Sequence, residues 1–430
     1  MNKQNNTTDY MKMSIDPIIE SGINRRSDVM IIIIFLCLIF VPAIIFWVMP
    51  DKKSSEEENR ALQQMPAFSA DNFISGKFTG SMAKYYADQF PLRNAFINAK
   101  TIFSYAFLIN ENKGTVIAKD GYLIQRYDKY SEKSIAEKSS SELGGDLTFS
   151  ENMKNIKNNC GYVNTFAENI KNMYPEKNIT VTFAVPPRKI DVMTNKLPMF
   201  FPIERHEKYF EELYKYIDND IYFDLLNALK PKNDEYIYYK TDHHWTTLGA
   251  FYAYSSISET MGYEALSKED YTIETVSEDF YGVLYSKAGA KWIEPDTIEY
   301  YKSESTSYFA TKIHGANNKT TTLQEFYDRE KLETKDKYSS FLGGINSRIT
   351  LSNMILSRYN TKLLLIADSF GQSLAPFLAC NYDYIEVIDT RFFNDNIYDF
   401  IENLEPDNIL ILVNMENLST QDNLKKLTQK

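Results

Sequence analysis

LLLIADSFGQSLAPFLACNYDYIEVIDTRFFNDNIYDFIENLEPDNILILV, residues 363–413, holds three short apolar runs separated by two stretches with helical spacing. Leu363–Ala367, Tyr384–Ile388 and Asn408–Val413 are the right length for strands, and their mainly apolar composition predicts burial on both faces. Gln372–Ala379 and Asn394–Asn403 predict helices between them. Strand and helix alternating in this way imply a parallel sheet flanked by helices, an α/β fold. In such sheets ligands bind at the carboxyl ends of the strands. The first of those ends here is Ala367-Asp368-Ser369-Phe370-Gly371.

The same pattern extends upstream. Residues 151–174 predict a helix, Ile179–Val185 a buried strand stopped by Pro186-Pro187, and residues 204–218 another helix. Tyr236–Tyr239 predicts a short strand and Thr246–Met261 a helix. Asp120-Gly121, between apolar runs, is a hairpin signal. Residues 131–150 are polar with Gly144-Gly145 and read as an exposed loop. Residues 300–340 are polar and irregular and read as a peripheral insertion or lid.

Near the start, Val29–Met49 runs for 21 residues without a charge. At about 1.5 Å per residue such a helix crosses a hydrocarbon core about 30 Å thick. Twenty-eight residues precede it and MPDKKSS follows, which fits an uncleaved anchor better than a secretion signal. Trp47 suits an interface, and a membrane helix tolerates Pro42. Lys3, Lys12, Arg25 and Arg26 precede the span, and Lys52, Lys53 and Arg60 follow it. Four against three barely orients the helix, but Arg25-Arg26 tip it towards an N-terminus inside. The expected organisation is a cytoplasmic tail over 1–28, an anchor over 29–49, a linker and packing segment over 50–80, and an extracytoplasmic α/β domain over 81–430.

Composition narrows the chemistry. With 47 Lys+Arg against 58 Asp+Glu the formal charge is −11, which disfavours a nucleic-acid partner. Three Cys exclude a disulfide-stapled scaffold and a Cys-rich zinc module. Cys37 lies in the span, and Cys160 and Cys380 either pair or stay free. No residue pattern calls for a cofactor.

Ser369 follows a strand and precedes a helix, so its hydroxyl lies near unpaired backbone N–H groups that can stabilise an oxyanion. An N-cap is the plainer reading of the same Ser. A nucleophilic Ser needs a base and an orienting acid. Two of the four His stand in Lys240-Thr241-Asp242-His243-His244-Trp245. That cluster reads equally as catalytic, as metal-binding or as structural. Neighbouring side chains in an extended segment point oppositely, so all three ligands seldom meet one ion.

At these residues the chain resembles the DHHW protein family, which is similar to the SGNH-hydrolase-like domains of alginate O-acetylation proteins. The landmarks occur in order: Glu58-Asn59-Arg60 with Leu62 and Pro66, Phe90-Pro91-Leu92-Arg93, Lys119-Asp120-Gly121-Tyr122-Leu123, Pro187-Arg188-Lys189, Asp242–Trp245 and Ala367–Phe370. The resemblance covers about residues 56–420. It implies an SGNH-hydrolase-like fold with its triad in circularly permuted order: acid Asp242, base His244, nucleophile Ser369. His243 and Trp245 would line the pocket. Oxyanion donors would come from the Ser369 and Phe370 N–H groups, with Gly344 and Asn346 of Leu342–Asn346 as further candidates. Ala367 departs from the Gly that many members have. The implied activity is O-acetyl transfer to a cell-wall or secreted polysaccharide. A membrane-bound O-acyltransferase partner would supply the acetyl group. A carbohydrate acetylesterase with the same triad and a non-catalytic scaffold of a polysaccharide export assembly are the alternatives.

Overall fold

A computed structural model of the chain describes residues 25–55, 60–127, 149–315, 319–354 and 360–429. The tail before Arg25, the acidic run at 56–58 and most of the loop read over 131–150 lie outside the described residues. The chain divides into two compact units. The first comprises residues up to Ser55 with Arg60–Phe96, and the second Glu56–Asn59 with Ile97–Lys430. The second unit thus begins at Ile97, where the sequence reading began the α/β domain at residue 81.

In the first unit, Arg25–Val48 forms one helix with Pro42 inside it. It is long and apolar enough to cross a membrane, and none of its most apolar window is buried. Two shorter helices, Ala70–Ile74 and Lys77–Gln89, follow. The Tyr85 hydroxyl donates to Asp51 at 2.9 Å.

The second unit is built on an eight-stranded sheet. Its strands in chain order are β1 (Thr180–Ala184), β2 (Tyr222–Phe223), β3 (Phe309–His314), β4 (Thr320–Leu323), β5 (Arg348–Asn353), β6 (Lys362–Ala367), β7 (Tyr384–Ile388) and β8 (Asn408–Leu412). Their spatial order is β4-β3-β5-β7-β6-β8-β1-β2. From β7 to β2 the neighbours are parallel, as the apolar runs predict. Leu363, Leu364, Leu365 and Ile366 are all fully buried. Both faces of β6 are covered, and each such side chain contributes about 1.5–3 kcal/mol by leaving water. The helix Phe149–Met173 packs against Glu204–Tyr216 and Met415–Thr420, while Phe370–Leu378 packs against Thr247–Met261. Chain order reverses around β6, because β7 lies on one side and β8 on the other. This is where the crevice of an open α/β sheet forms.

Two readings are corrected. Residues 300–340 are not a peripheral insertion: β3 and β4 extend the central sheet, and β5 joins them to it, all antiparallel. Their polar alternation belongs to an edge with one solvated face. Tyr236–Tyr239 is not a strand of a sheet. It doubles back so that Tyr238 meets Trp245 in an isolated bridge, and the chain between them forms a tight loop. Cys160 and Cys380, whose pairing the sequence left open, form no disulfide with each other, and both are buried. The Asp120-Gly121 hairpin is present, with Thr115–Ile117 antiparallel to Leu123–Gln125 and positive φ at both turn residues.

Candidate active site

The loop Tyr239–His244 is held almost entirely by its backbone. Tyr239 N donates to His244 O at 3.2 Å and Thr246 N to Ile237 O at 2.9 Å. The Asp296 carboxylate accepts from Lys240 N at 2.6 Å and Thr241 N at 2.7 Å, and also from the Tyr236 hydroxyl. Lys189 Nζ donates to Lys240 O at 3.1 Å and to Leu123 O of the hairpin at 2.8 Å. Two of the sequence landmarks and the loop that leads into Asp242–Trp245 therefore meet at one buried amine. A loop so anchored leaves the Asp242 side chain little freedom.

Asp242 Oδ1 accepts from His244 N at 3.0 Å and lies 2.6 Å from His244 Nδ1, and Oδ2 accepts from Val283 N at 3.0 Å. Burial pushes this carboxyl up, but the adjacent imidazoles and the bonds from His244 outweigh that and hold it below the usual carboxylate range. Gly282 makes the approach of residues 281–283 possible. A Cβ there would lie 2.3 Å from Asp242 Cβ, where no side chain fits.

His244 Nε2 lies 2.7 Å from Ser369 Oγ. Ser369 stands at the carboxyl end of β6 and does not cap the following helix with its side chain, so the N-cap reading fails. Its backbone is ordinary helical, φ −59° and ψ −20°, without the strain of a nucleophile elbow. Ser369, His244 and Asp242 are 7%, 7% and 3% exposed. Ala367 is tolerated where a Gly is common because residue 371 is Gly; a Cβ at 371 would sit 2.5 Å from the Ala367 Cβ.

The other expected residues fall differently. Trp245 is fully buried and its Nε1 donates to Ser373 Oγ at 2.8 Å, so it supports the site from behind and does not line a pocket. His243 lies at the rim with its side chain 31% exposed and its ring 3.9 Å from that of His244. Partial burial and the neighbouring His244 lower its pKa, against the pull of Asp242. The Phe370 N–H is spent on Asp368 Oδ1 at 3.0 Å and is not free for an oxyanion. Gly344 N donates to Phe341 O, and Asn346 Nδ2 to Gly344 O, so both serve their own turn. Among the described residues the Ser369 N–H has no backbone acceptor, so of the expected donors it is the one left uncommitted.

Several residues of the site carry no mark in the sequence. The Tyr338 ring stacks on His244 at 3.9 Å and 8°, and its hydroxyl donates to Ser369 O at 3.0 Å. Asp368 accepts from Asn414 N and Asn417 Nδ2 as well as Phe370 N, fixing the turn that presents Ser369. Tyr338 is one of 31 Tyr and Gly282 one of 16 Gly, so neither stands out by type. A small recess beside the site is lined by His243, Phe370, Gln125, Lys189, Asn414 and Glu416. The ligand atoms of Asp242, His243 and His244 lie within 4.8 Å of one another. Both nitrogens of His244 already face Asp242 and Ser369, so an ion bound there would have to replace that chain of contacts.

The arrangement is an acid–imidazole–hydroxyl relay at the carboxyl end of a central parallel strand. Residues 204–388 match the DHHW protein family. That match includes Asp242–Trp245 and Ser369. A DHHW family protein from Eubacterium siraeum is similar in structure, with a TM-score of 0.55 at 22% identity over 74% of this chain and 96% of that one. Bacillus cereus PatB1 with a sulfonyl adduct is similar too, with a TM-score of 0.54 at 20% identity over 71% of this chain and 98% of that one. The O-acetyltransferase domain of Pseudomonas putida AlgJ covers 74% of this chain and 99% of its own, at 12% identity and a TM-score of 0.39, too distant to carry an argument. No curated protein sequence matches the chain significantly. The chain shares with the first two structures an α/β fold around a central, partly parallel sheet, and an apolar helix precedes it.

Proposed function

We propose that this chain is a membrane-anchored, extracytoplasmic O-acetyltransferase that moves an acetyl group onto hydroxyls of a cell-wall or secreted polysaccharide. The observation that carries the reading is the His244 imidazole bridging Asp242 Oδ1 at 2.6 Å and Ser369 Oγ at 2.7 Å. His244 takes the Ser369 proton as Oγ attacks the acetyl carbonyl of the donor. The donor's leaving oxygen or sulfur departs with that proton, and Ser369 is left as an acetyl ester. A sugar hydroxyl then gives its proton to His244 and attacks the ester; Ser369 leaves and takes the proton back. Asp242 orients the imidazole and stabilises its charged form. Acetyl donors of the cytosol lie across the bilayer from such a site, so the reading includes a membrane-bound O-acyltransferase partner that delivers the acetyl group.

The test uses the full chain in detergent with an activated acetyl ester, rapid quenching and peptide mass spectrometry. The expected result is an acetyl adduct on Ser369. It is lost in Ser369→Ala and His244→Ala and kept within a few-fold in His243→Ala. Release of the adduct to an oligosaccharide rather than to water separates a transferase from an esterase. No adduct in any form of the protein would remove the enzymatic reading.

A further inference from the structure

The helix Arg93–Ala106 and the turn after it present large apolar side chains to solvent. Phe103 and Phe107 are four residues apart and share a face, and the helical bond from Phe107 N to Phe103 O keeps them in register. Phe107 is 76% exposed and Leu108 85%. Ile102 and Ile109 are also exposed. Leu108 holds φ at +61°, a left-handed conformation that a Leu rarely adopts. A Gly would make that turn with less strain, so the turn carries an exposed Leu at a conformational cost. Beside it the Tyr105 ring packs on Trp292 at 5.3 Å, and both rings are partly exposed. Tyr and Trp flanking an apolar patch are the composition of a surface that sits where headgroups meet acyl chains.

Five large apolar side chains within eight residues, each 54–85% exposed, are more than soluble domains usually leave uncovered. In the same chain Asp28–Val48 is long and apolar enough to span a bilayer, so residues 49–92 tether the patch to a membrane. We propose that the cluster of Ile102, Phe103, Phe107, Leu108 and Trp292 inserts into the outer leaflet. Unit two then makes a lipid contact of its own. The proposal rests on the reading of residues 29–49 as an anchor, and the two can be tested apart.

Full-length protein is reconstituted into vesicles of phosphatidylcholine and phosphatidylglycerol, with no other protein present. Native Cys37 lies in the apolar helix, and Cys160 and Cys380 are buried, so an environment-sensitive thiol dye reports first on Cys37. In a Cys37→Ser background the dye is then moved to Leu108→Cys and, as a water-exposed control, to Glu207→Cys on the helix Glu204–Tyr216. Lipids brominated near the headgroup should quench the Leu108→Cys dye and shift its emission to the blue, leaving the Glu207→Cys dye unchanged. Phe103→Ser with Phe107→Ser, both at solvent-facing positions, should return the Leu108→Cys dye to the emission of the control. If the Cys37 dye is quenched by lipids brominated along the chain and the Leu108→Cys dye is not, the proposal is wrong and the anchor stands. If neither is quenched, the anchor reading fails first. Shielding of the Leu108→Cys dye that appears only when membrane protein extract is added would assign the patch to a protein partner and overturn the proposal.

Discussion

Gly282→Ala should disable the relay without touching any of its members. The backbone at 282 is extended, φ −76° and ψ −174°, so alanine meets no conformational penalty there. The new methyl would lie 2.3 Å from Asp242 Cβ and 2.4 Å from Asp242 Oδ2. Carbon atoms settle at about 3.5–4.0 Å, so roughly 1.2 Å of separation must be found. Asp242 has little room to give, since Thr241 N beside it is held by Asp296 at 2.7 Å and the Asp242 carboxylate itself accepts from His244 N at 3.0 Å. Either the carboxylate leaves His244 Nδ1 or the segment 281–283 lifts and takes the Val283 N–H with it. A displacement near 1 Å in a catalytic group costs about 10² in rate, equivalent to about 2.7 kcal/mol. Overpacking costs about 1–3 kcal/mol of stability. The assay is the rate at which a sulfonyl fluoride labels Ser369, followed by intact mass, beside a thermal melt. Gly161→Ala is the control: nothing lies within 4 Å of its methyl on the helix Phe149–Met173. It should label normally and gain about 0.5–1 kcal/mol. Wild-type labelling and melting in Gly282→Ala would show that the 281–283 segment yields freely and does not fix Asp242.

Two further perturbations isolate other supports. Tyr338→Phe keeps the stack on His244 but removes the hydroxyl bonds to Ser369 O and Ser373 Oγ; it should lose about 0.5–1.5 kcal/mol in denaturant titration and retain most labelling. Tyr338→Ala removes the ring as well and should lose about 3–5 kcal/mol, with labelling falling in parallel. Burial lowers the Lys189 pKa to about 7 from 10.5, with Asp296 and Asp242 offsetting part of the effect. The folded value lies below the unfolded one, so the unfolded chain binds more protons between the two and stability rises with pH across that window. Lys189→Met lacks this slope. Its stability relative to wild type should decline as pH climbs from about 7 to about 10.5, and parallel curves would refute the burial argument.

The sheet was legible because strands buried on both faces are written as unbroken apolar runs. Leu363–Ala367 and Asn408–Val413 announce themselves, and the structure ends them within a residue of those limits. β3 and β4 were not legible. Thr320–Leu323 is a short, mostly exposed edge, and short polar strands are made by their partner and not by their own composition. Residue type and the strand-end position marked Ser369 and the Asp242–His244 cluster as candidates, but the pairing of His244 with Ser369 was only what the family resemblance implied. Asp296 and Tyr338 act through distance alone, and a single Asp or Tyr carries no spacing that points to a loop 50 or more residues away. The Trp245 reading went astray because an aromatic beside a His suggests a pocket wall, whereas its indole N–H was already committed to Ser373.

That last contact ties two consecutive residues of the loop to one helix. Ser369 and Ser373 are one helical turn apart and lie on the same face of the helix Phe370–Leu378 and its leading turn. His244 meets the first at 2.7 Å and Trp245 meets the second at 2.8 Å. Two adjacent side chains of the loop thus grip two points on one helix face. Sliding or rotating the helix by one residue breaks both contacts at once, so the register between loop and helix is set to within a side-chain bond length. Tyr338 reinforces the grip from a third direction, since its hydroxyl reaches both Ser369 O and Ser373 Oγ. Trp245→Phe tests this. It fills most of the same volume but cannot donate, so Ser373 loses one of its two partners and the structure loses about 1 kcal/mol. If the grip fixes the relay, sulfonylation of Ser369 falls in Trp245→Phe, and adding Ser373→Ala lowers it by less than the sum of the two single losses, because both changes cut the Trp245–Ser373 bond. Additive losses in the double variant would mean that Trp245 and Ser373 act separately, and that His244 alone holds the nucleophile in place.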